Sequence, residues 1–188
     1  LLGLSKVLKN LKVIEVYSRY ESKFEFSTSM EKLTNLKIIP VDSAERAVRD
    51  KDVVITCLPN GVQPVVKDQW LKSTGVTAFN IGGHEMEEII LTRMDRIVAD
   101  MWSHAKVRAS QTHAKAVERR LISENKIEDL TPIIVGEVPG RTSKEQNIFF
   151  CPTGLGFPDA IIAWRIYQNA LKAGIGNNFT QWKDCKWI

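Results

Sequence analysis

Residues 52–59 read DVVITCLP, a β-branched apolar run with no polar alternation. A strand wetted on one face alternates apolar and polar side chains, so this run predicts a strand covered on both faces. Two runs of the same kind follow, VTAFNIGG (76–83) and DRIVAD (95–100). Two more precede it, KVIEVYS (12–18) and LKIIPV (36–41). Between the first runs lie helical stretches. One covers 21–34, with Phe24, Met30 and Leu33 inward; another covers 42–50, opened by Asp42 or Ser43 as N-cap. Strands alternating with helices specify a parallel sheet with right-handed crossovers. The expected fold is α/β, a Rossmann-like doubly wound and mostly parallel sheet.

The first residues, LLGLSKVLKNLKVIEVYSR, read as a helix (1–9) running into a strand (12–17). That is the second half of a βαβ unit. The strand and tight turn that should precede it are not in the sequence, so the sheet is expected to be incomplete at its N-terminal strand. The second half changes character. Residues 102–121 have a helical pattern through Ala105, Val107, Ala109, Ala114, Val117 and Leu121. An apolar turn (131–138), a polar loop (139–147) and a strand-like IFFC (148–151) come next. PTGLG (152–156) is a turn. Residues 157–176 form a strong helix, with Pro158 in its first turn and Gly174 and Gly176 at its end. The expected division is a dinucleotide-binding domain over 1–130 and a segment over 131–188 that completes the sheet. The tail NNFTQWKDCKWI, with Trp182 and Trp187, is expected to pack on a partner or elsewhere on the molecule.

The chain has 188 residues and a net charge of +4, with Lys and Arg scattered rather than striped. Nucleic-acid binding calls for a basic face or an aromatic-and-basic interleave, and neither is present. An anionic small ligand fits the same charge. Cys57, Cys151 and Cys185 are far apart and lack zinc-ligand spacing, so the chain reads as a reduced, cytoplasmic protein without metal. No apolar run approaches the roughly 18 residues of a membrane span.

The candidate site residues follow from where ligands bind in such sheets, at the carboxyl ends of strands. Ser18 and Arg19 end the first strand, where the adenosine ribose lies. An acid there favours NAD. Ser18 can donate to a 2′-phosphate and Arg19 can pair with it, so NADP(H) is expected more than NAD(H). Thr56, Cys57 and Leu58 end the DVVIT run and are candidates for the cofactor groove. Gly82 and Gly83 end the next and permit close backbone approach. His84, just beyond them, is the candidate proton donor or acceptor, against the plainer reading of a loop histidine. His104 and His113 read as solvated or structural. Glu85, Glu87 and Glu88 read as carboxylates at a helix start. Thr153 and Gly154 lie before the long helix, whose N-terminus suits a carboxylate or phosphate.

The motif order resembles the ornithine cyclodeaminase/μ-crystallin family. DVVITCLP, FNIGG with an acidic helix start, and DRIVAD come in sequence. Then Gly136-Glu137, Gly140-Arg141, Ile148-Phe149, Thr153-Gly154 and Asp159 match in order and spacing, over essentially residues 1–176. The resemblance implies a Rossmann domain for NAD(H) or NADP(H) and a substrate and dimerisation domain built from the N-terminal third, to which the C-terminal helix returns. It implies hydride transfer between the α-carbon of an amino acid and nicotinamide, through an imine. It also implies a homodimer formed through that other domain. Thr153 and Gly154 would then sit against nicotinamide and substrate. The family's glycine-rich turn, and the Lys and Arg that hold the substrate carboxylate, have no counterpart in this sequence. In cyclodeaminases an Asp stands two residues after the glycine of the FNIG strand. Here that position is His84, which disfavours ornithine cyclodeaminase proper. Ketimine reduction or amino-acid oxidation is the expected chemistry. A cofactor-linked small-ligand binding protein, as μ-crystallin is, is the alternative.

Overall fold

The computed structural model describes residues 1–59, 61, 63–108 and 110–180. The expectations on Ala109 and on the last part of the tail, with Trp182, Cys185 and Trp187, lie outside them. Two compact units are present, Leu1–Thr153 and a second from Gly154.

In the first unit the N-terminal pair of strands forms as the apolar runs require. Helix α1 (Leu2–Val7) leads into β1 (Val13–Tyr17), and α2 (Ser22–Thr34) into β2 (Lys37–Val41). β1 and β2 pair in parallel, Val13 opposite Lys37 and Tyr17 opposite Val41. α2 ends at Asn35, whose left-handed backbone (φ 56°) turns the chain into β2. α3 (Ala44–Val48) is capped by Ser43, which accepts from the Arg46 amide at 3.2 Å, so Ser43 rather than Asp42 is the N-cap.

The apolar runs of the middle of the chain build a second sheet. β3 (Val53–Thr56), β4 (Thr77–Asn80) and β5 (Arg96–Ala99) are followed by α4 (Trp102–Ala105), α5 (Thr112–Glu118), β6 (Ile127–Asp129), α6 (Leu130–Ile134) and β7 (Ile148–Cys151). The strand order is β3-β4-β7-β5-β6, with every pair parallel. The last strand in sequence therefore sits in the middle. Every residue of β5 is buried and β7 alternates half-buried and buried, with Ile97 and Phe149 wholly enclosed. β3, expected to be covered on both faces, is buried on one: Ile55 is 41% exposed. The core gathers Val54, Val66, Ala78, Met86, Leu91 and Phe149. Among the described residues β1 pairs only with β2, and β3 only with β4, so the sheet is interrupted between β1 and β3.

Further expectations change. Phe24 and Leu33 of α2, expected inward, are exposed. The helical pattern over 102–121 is two short helices, α4 and α5, rather than one. β6 appears where no strand is expected: Ile127-Glu128-Asp129 is too short and polar to signal one, and pairing with β5 makes it.

The second unit is α7 (Gly156–Ala173) with the residues around it. It closes at Gly174, whose φ of 64° is the left-handed cap expected of glycine. No residue of α7 is buried, and Phe157, Ile161, Trp164 and Leu171 are exposed. The segment 131–153, grouped by the sequence with the C-terminal part, belongs to the first unit because β7 is central to its sheet.

Candidate functional site

Parallel strands bring their carboxyl ends to one edge of a sheet. Here that edge carries Thr56 and Leu58 after β3, Gly82 and Gly83 after β4, Thr153 after β7 and Asp100 after β5.

Glu85 organises the first part of it. Its side chain is completely buried. Oε2 accepts from the Thr56 hydroxyl at 2.6 Å and from the Gly82 amide at 3.1 Å, and Oε1 accepts from the Leu58 amide. The backbone carbonyl of Glu85 accepts from the amides of Val65 and Val66, beside a parallel bridge between Val66 and Met86. A β-carbon on Gly82 would come within 2.8 Å of the Leu58 carbonyl oxygen and would meet the Glu85 carboxylate. The glycine is thus required by Glu85, where the sequence suggests a ligand. Gly83 is buried, and its carbonyl accepts from the Asn80 side-chain amide at 2.7 Å. Asn80 Oδ1 accepts in turn from Thr112 Oγ1 at 2.8 Å, tying the end of β4 to α5.

Asp100 organises the second part. Its carboxylate accepts from the Thr153 amide at 2.8 Å and from the Thr153 hydroxyl at 2.6 Å. The Thr153 carbonyl accepts from Arg108. Thr56 and Thr153 both spend their hydroxyl proton on a carboxylate, which leaves each oxygen able to accept from a ligand.

The remaining candidates separate. His84 Nε2 lies 2.9 Å from Glu88 Oε1, and Arg119 lies 2.8 Å from the same oxygen. Burial opposes ionisation of Glu88, but its own amide, His84 and Arg119 outweigh this and hold the carboxyl below its ordinary range. Glu87 and Glu88 do open a short 3-10 helix (Glu88–Arg93), as the sequence suggests, whereas Glu85 stands before it. Glu85 and Glu88 are buried, and Glu87 accepts from the Asp68 amide at 2.9 Å. Ser18 Oγ accepts from the Tyr20 amide at 3.2 Å; Arg19 is exposed and makes no ion pair among the described residues. Cys57 is an exposed free thiol. Gly154 begins the second unit at φ 82°, with open space where a β-carbon would stand. His104 is exposed, whereas His113 is fully buried, 5.3 Å from the Trp102 ring centroid. Burial pushes His113 down to about 4, despite the charge of Asp100.

Sequence reasoning missed Glu85 and Asp100 as organisers. Asp100 had a signal, since it stands just beyond the carboxyl end of a buried strand, after Ile97-Val98-Ala99. Glu85 had none, because its neighbours Glu87 and Glu88 make it look like part of an acidic helix start. The Gly140-Arg141 motif lies at the other edge: Arg141 donates to Thr77 Oγ1 at 2.6 Å, at the amino end of β4.

The chain is similar to N-((2S)-2-amino-2-carboxyethyl)-L-glutamate dehydrogenase of Staphylococcus aureus, 28% identical over 141 residues, or 75% of this chain and 41% of that protein. It is 25% identical to a Delta(1)-pyrroline-2-carboxylate reductase of Bacillus cereus over 175 residues, 90% of this chain and 53% of the relative. Among solved structures, the Delta(1)-pyrroline-2-carboxylate reductase of Thermococcus litoralis in complex with NADH and L-proline superposes with a TM-score of 0.79. It shares 25% identity over 94% of this chain and 56% of that one. The chain spans about half the length of the relatives it matches. This likeness confirms the Rossmann-like fold. The sequence model of the ornithine cyclodeaminase/mu-crystallin family matches residues 2–174, and the chain belongs to that family.

Proposed function

We propose that this chain is the nicotinamide-dinucleotide part of an oxidoreductase that acts on an amino acid or its imine. The observation that carries the reading is the fixed edge made by Thr56, Leu58, Gly82 and Thr153 at the carboxyl ends of three adjacent parallel strands. Open α/β sheets bind ligands there. The NADH and L-proline held by the Thermococcus litoralis reductase support the same cofactor and substrate class.

The residues present fit such a cofactor at two points. Arg19, exposed and without an ion pair among the described residues, is available to a phosphate at the end of β1. Thr56 and Thr153 offer acceptor oxygens along the edge. The dinucleotide, when bound, supplies or receives a hydride. Ser18 and Arg19 would hold its adenosine end, and Thr56 and Leu58 would line its groove. Thr153 would orient nicotinamide and substrate, its hydroxyl fixed by Asp100. Hydride transfer needs donor and acceptor carbons about 3–3.5 Å apart, so rigid threonine anchors are of use. Ser18 and Arg19 support NADP(H), while the NADH of the Thermococcus litoralis reductase supports NAD(H).

A homodimer in a reducing cytoplasm accompanies this reading. The free thiols of Cys57 and Cys151 and the exposed apolar residues of α7 support it. No described helix is long and apolar enough to cross a membrane.

The engagement of His84 by Glu88 favours a second reading, a small-ligand binding protein that holds the dinucleotide without turnover. We assign His84 no proton step. Oxidation of NADH or NADPH by the full protein with Δ1-pyrroline-2-carboxylate, or with α-keto acids and ammonia, separates the two. Turnover with any of them supports the enzyme. Tight cofactor binding with no turnover supports the binding protein.

A further inference from the structure

We propose that Glu85 is the positioning residue of the cofactor edge, the group that holds the β3 and β4 ends in one geometry. The role rests on the dinucleotide reading above, and no ligand contact is assigned to Glu85 itself.

A completely buried carboxylate is expensive unless its lone pairs are satisfied. Glu85 makes no ion pair among the described residues, and its oxygens instead receive three donors. Those donors come from two segments. The Thr56 hydroxyl and the Leu58 amide belong to the end of β3, and the Gly82 amide to the end of β4. A backbone N–H cannot reverse its polarity, so both amides need an acceptor, and Glu85 supplies both. Its own backbone is fixed from the other side by Val65 and Val66. The absence of a side chain at residue 82 completes the arrangement, because a β-carbon would take the space of the carboxylate. The same three residues that would face the cofactor groove therefore share one buried carboxyl group as their common anchor.

Glu85→Gln is close to isosteric and tests the role sharply. One of its two terminal atoms is an amide nitrogen. Whichever way the group lies, that nitrogen confronts either Leu58 N–H or Gly82 N–H, and one of them loses its acceptor.

The experiment uses the full protein and reads amide hydrogen exchange, thermal unfolding and NADH and NADPH affinity. Exchange at Leu58 or Gly82 is expected to rise by about tenfold in Glu85→Gln, with Val54 and Ala78 unchanged. The dissociation constant of the preferred cofactor is expected to rise by about tenfold for the folded protein. Unchanged protection at both amides overturns the proposal. So does a uniform rise that includes Val54 and Ala78, which marks a purely structural carboxylate, or a dissociation constant within about twofold of wild type. Should the wild type bind neither NADH nor NADPH, the dinucleotide reading fails, and the exchange pattern alone decides whether Glu85 fixes this edge. Should Glu85→Gln not fold, Thr56→Val removes one donor and keeps the shape. It is expected to weaken binding about three- to tenfold, and unchanged affinity overturns the proposal.

Discussion

Gly82 and Glu85 are sterically exclusive: the carboxylate of one occupies the space that a side chain on the other would need. Gly82→Ala must therefore move Glu85, the Leu58 carbonyl or both. Overpacking of this kind costs about 1–3 kcal/mol. The expected outcome is a lower melting temperature, with the Glu85 hydrogen bonds to Thr56 and Leu58 disturbed. A crystal structure of the variant checks the displacement and a melting curve checks the cost. An alanine variant as stable as the parent would show that the loop yields freely.

His113 sets an acid limit on stability. It is buried between Trp102 and Phe149, and neither ring nitrogen makes a hydrogen bond among the described residues. Its pKa is pushed from 6.5 to about 4 in the folded protein. Between these values the unfolded chain binds a proton that the folded chain refuses, so stability falls as pH drops below 6.5. The full effect is on the order of 3 kcal/mol by pH 4. His113→Phe keeps a ring against Trp102 and Phe149 and removes the titration. The variant is expected to match or exceed the parent at pH 7 and to lose less stability between pH 6.5 and 4. Urea unfolding across that range measures both.

The arrangement of these residues shows which parts of the molecule the sequence could express. Parallel strands of this sheet announce themselves as apolar runs, and β3, β4 and β5 were legible that way; coverage on both faces was not, since of the three β5 alone is buried throughout while Ile55 of β3 is exposed. The cap at Ser43 and the stop at Gly174 are equally local, and both were legible. β6 was not, since three residues that include Glu128 and Asp129 become a strand only through β5. Thr56 and Thr153 could be picked out by their place at strand ends. Their carboxylate anchors could not be paired with them. Asp100 lies 53 residues from Thr153, and Glu85 lies 29 from Thr56. The pairing of His84 with Glu88 was not read from the sequence either, although the two stand four residues apart, because Glu88 looked like a charge for the helix start alone.

Arg19 is expected to decide between the two forms of the cofactor. It is the exposed cation at the end of β1, with Ser18 beside it. Pairing with a 2′-phosphate would be lost in Arg19→Ala, and NADPH affinity should fall about tenfold while NADH affinity stays within about twofold. Titrations with both cofactors on the full protein check this. Equal losses for the two, or none, would remove the case for NADP(H).

Arg96 closes the sheet at its far edge, and its replacement should open that edge alone. The guanidinium is largely buried and bonds Glu128 through both Nε, at 2.9 Å, and Nη2. Nη1 donates to the carbonyls of Pro139 at 2.7 Å and Gly140 at 2.6 Å. One residue of β5 thus secures β6 and the loop that carries Gly140-Arg141. Arg96→Lys keeps the charge but cannot reproduce the fork, and Arg96→Met removes the charge and leaves Glu128 without its partner. Breaking such a pair from one side costs about 3–5 kcal/mol when it is fully buried, and less here because Glu128 is about one-third exposed. A loss of about 2–3 kcal/mol is expected for Arg96→Met and a smaller one for Arg96→Lys. Amide exchange should quicken at Ile127 and Asp129, whose strand pairs only with β5 among the described residues, and stay slow at Ala78 in the sheet interior. Equal loss of protection at both places would mean that Arg96 supports the whole sheet rather than its edge.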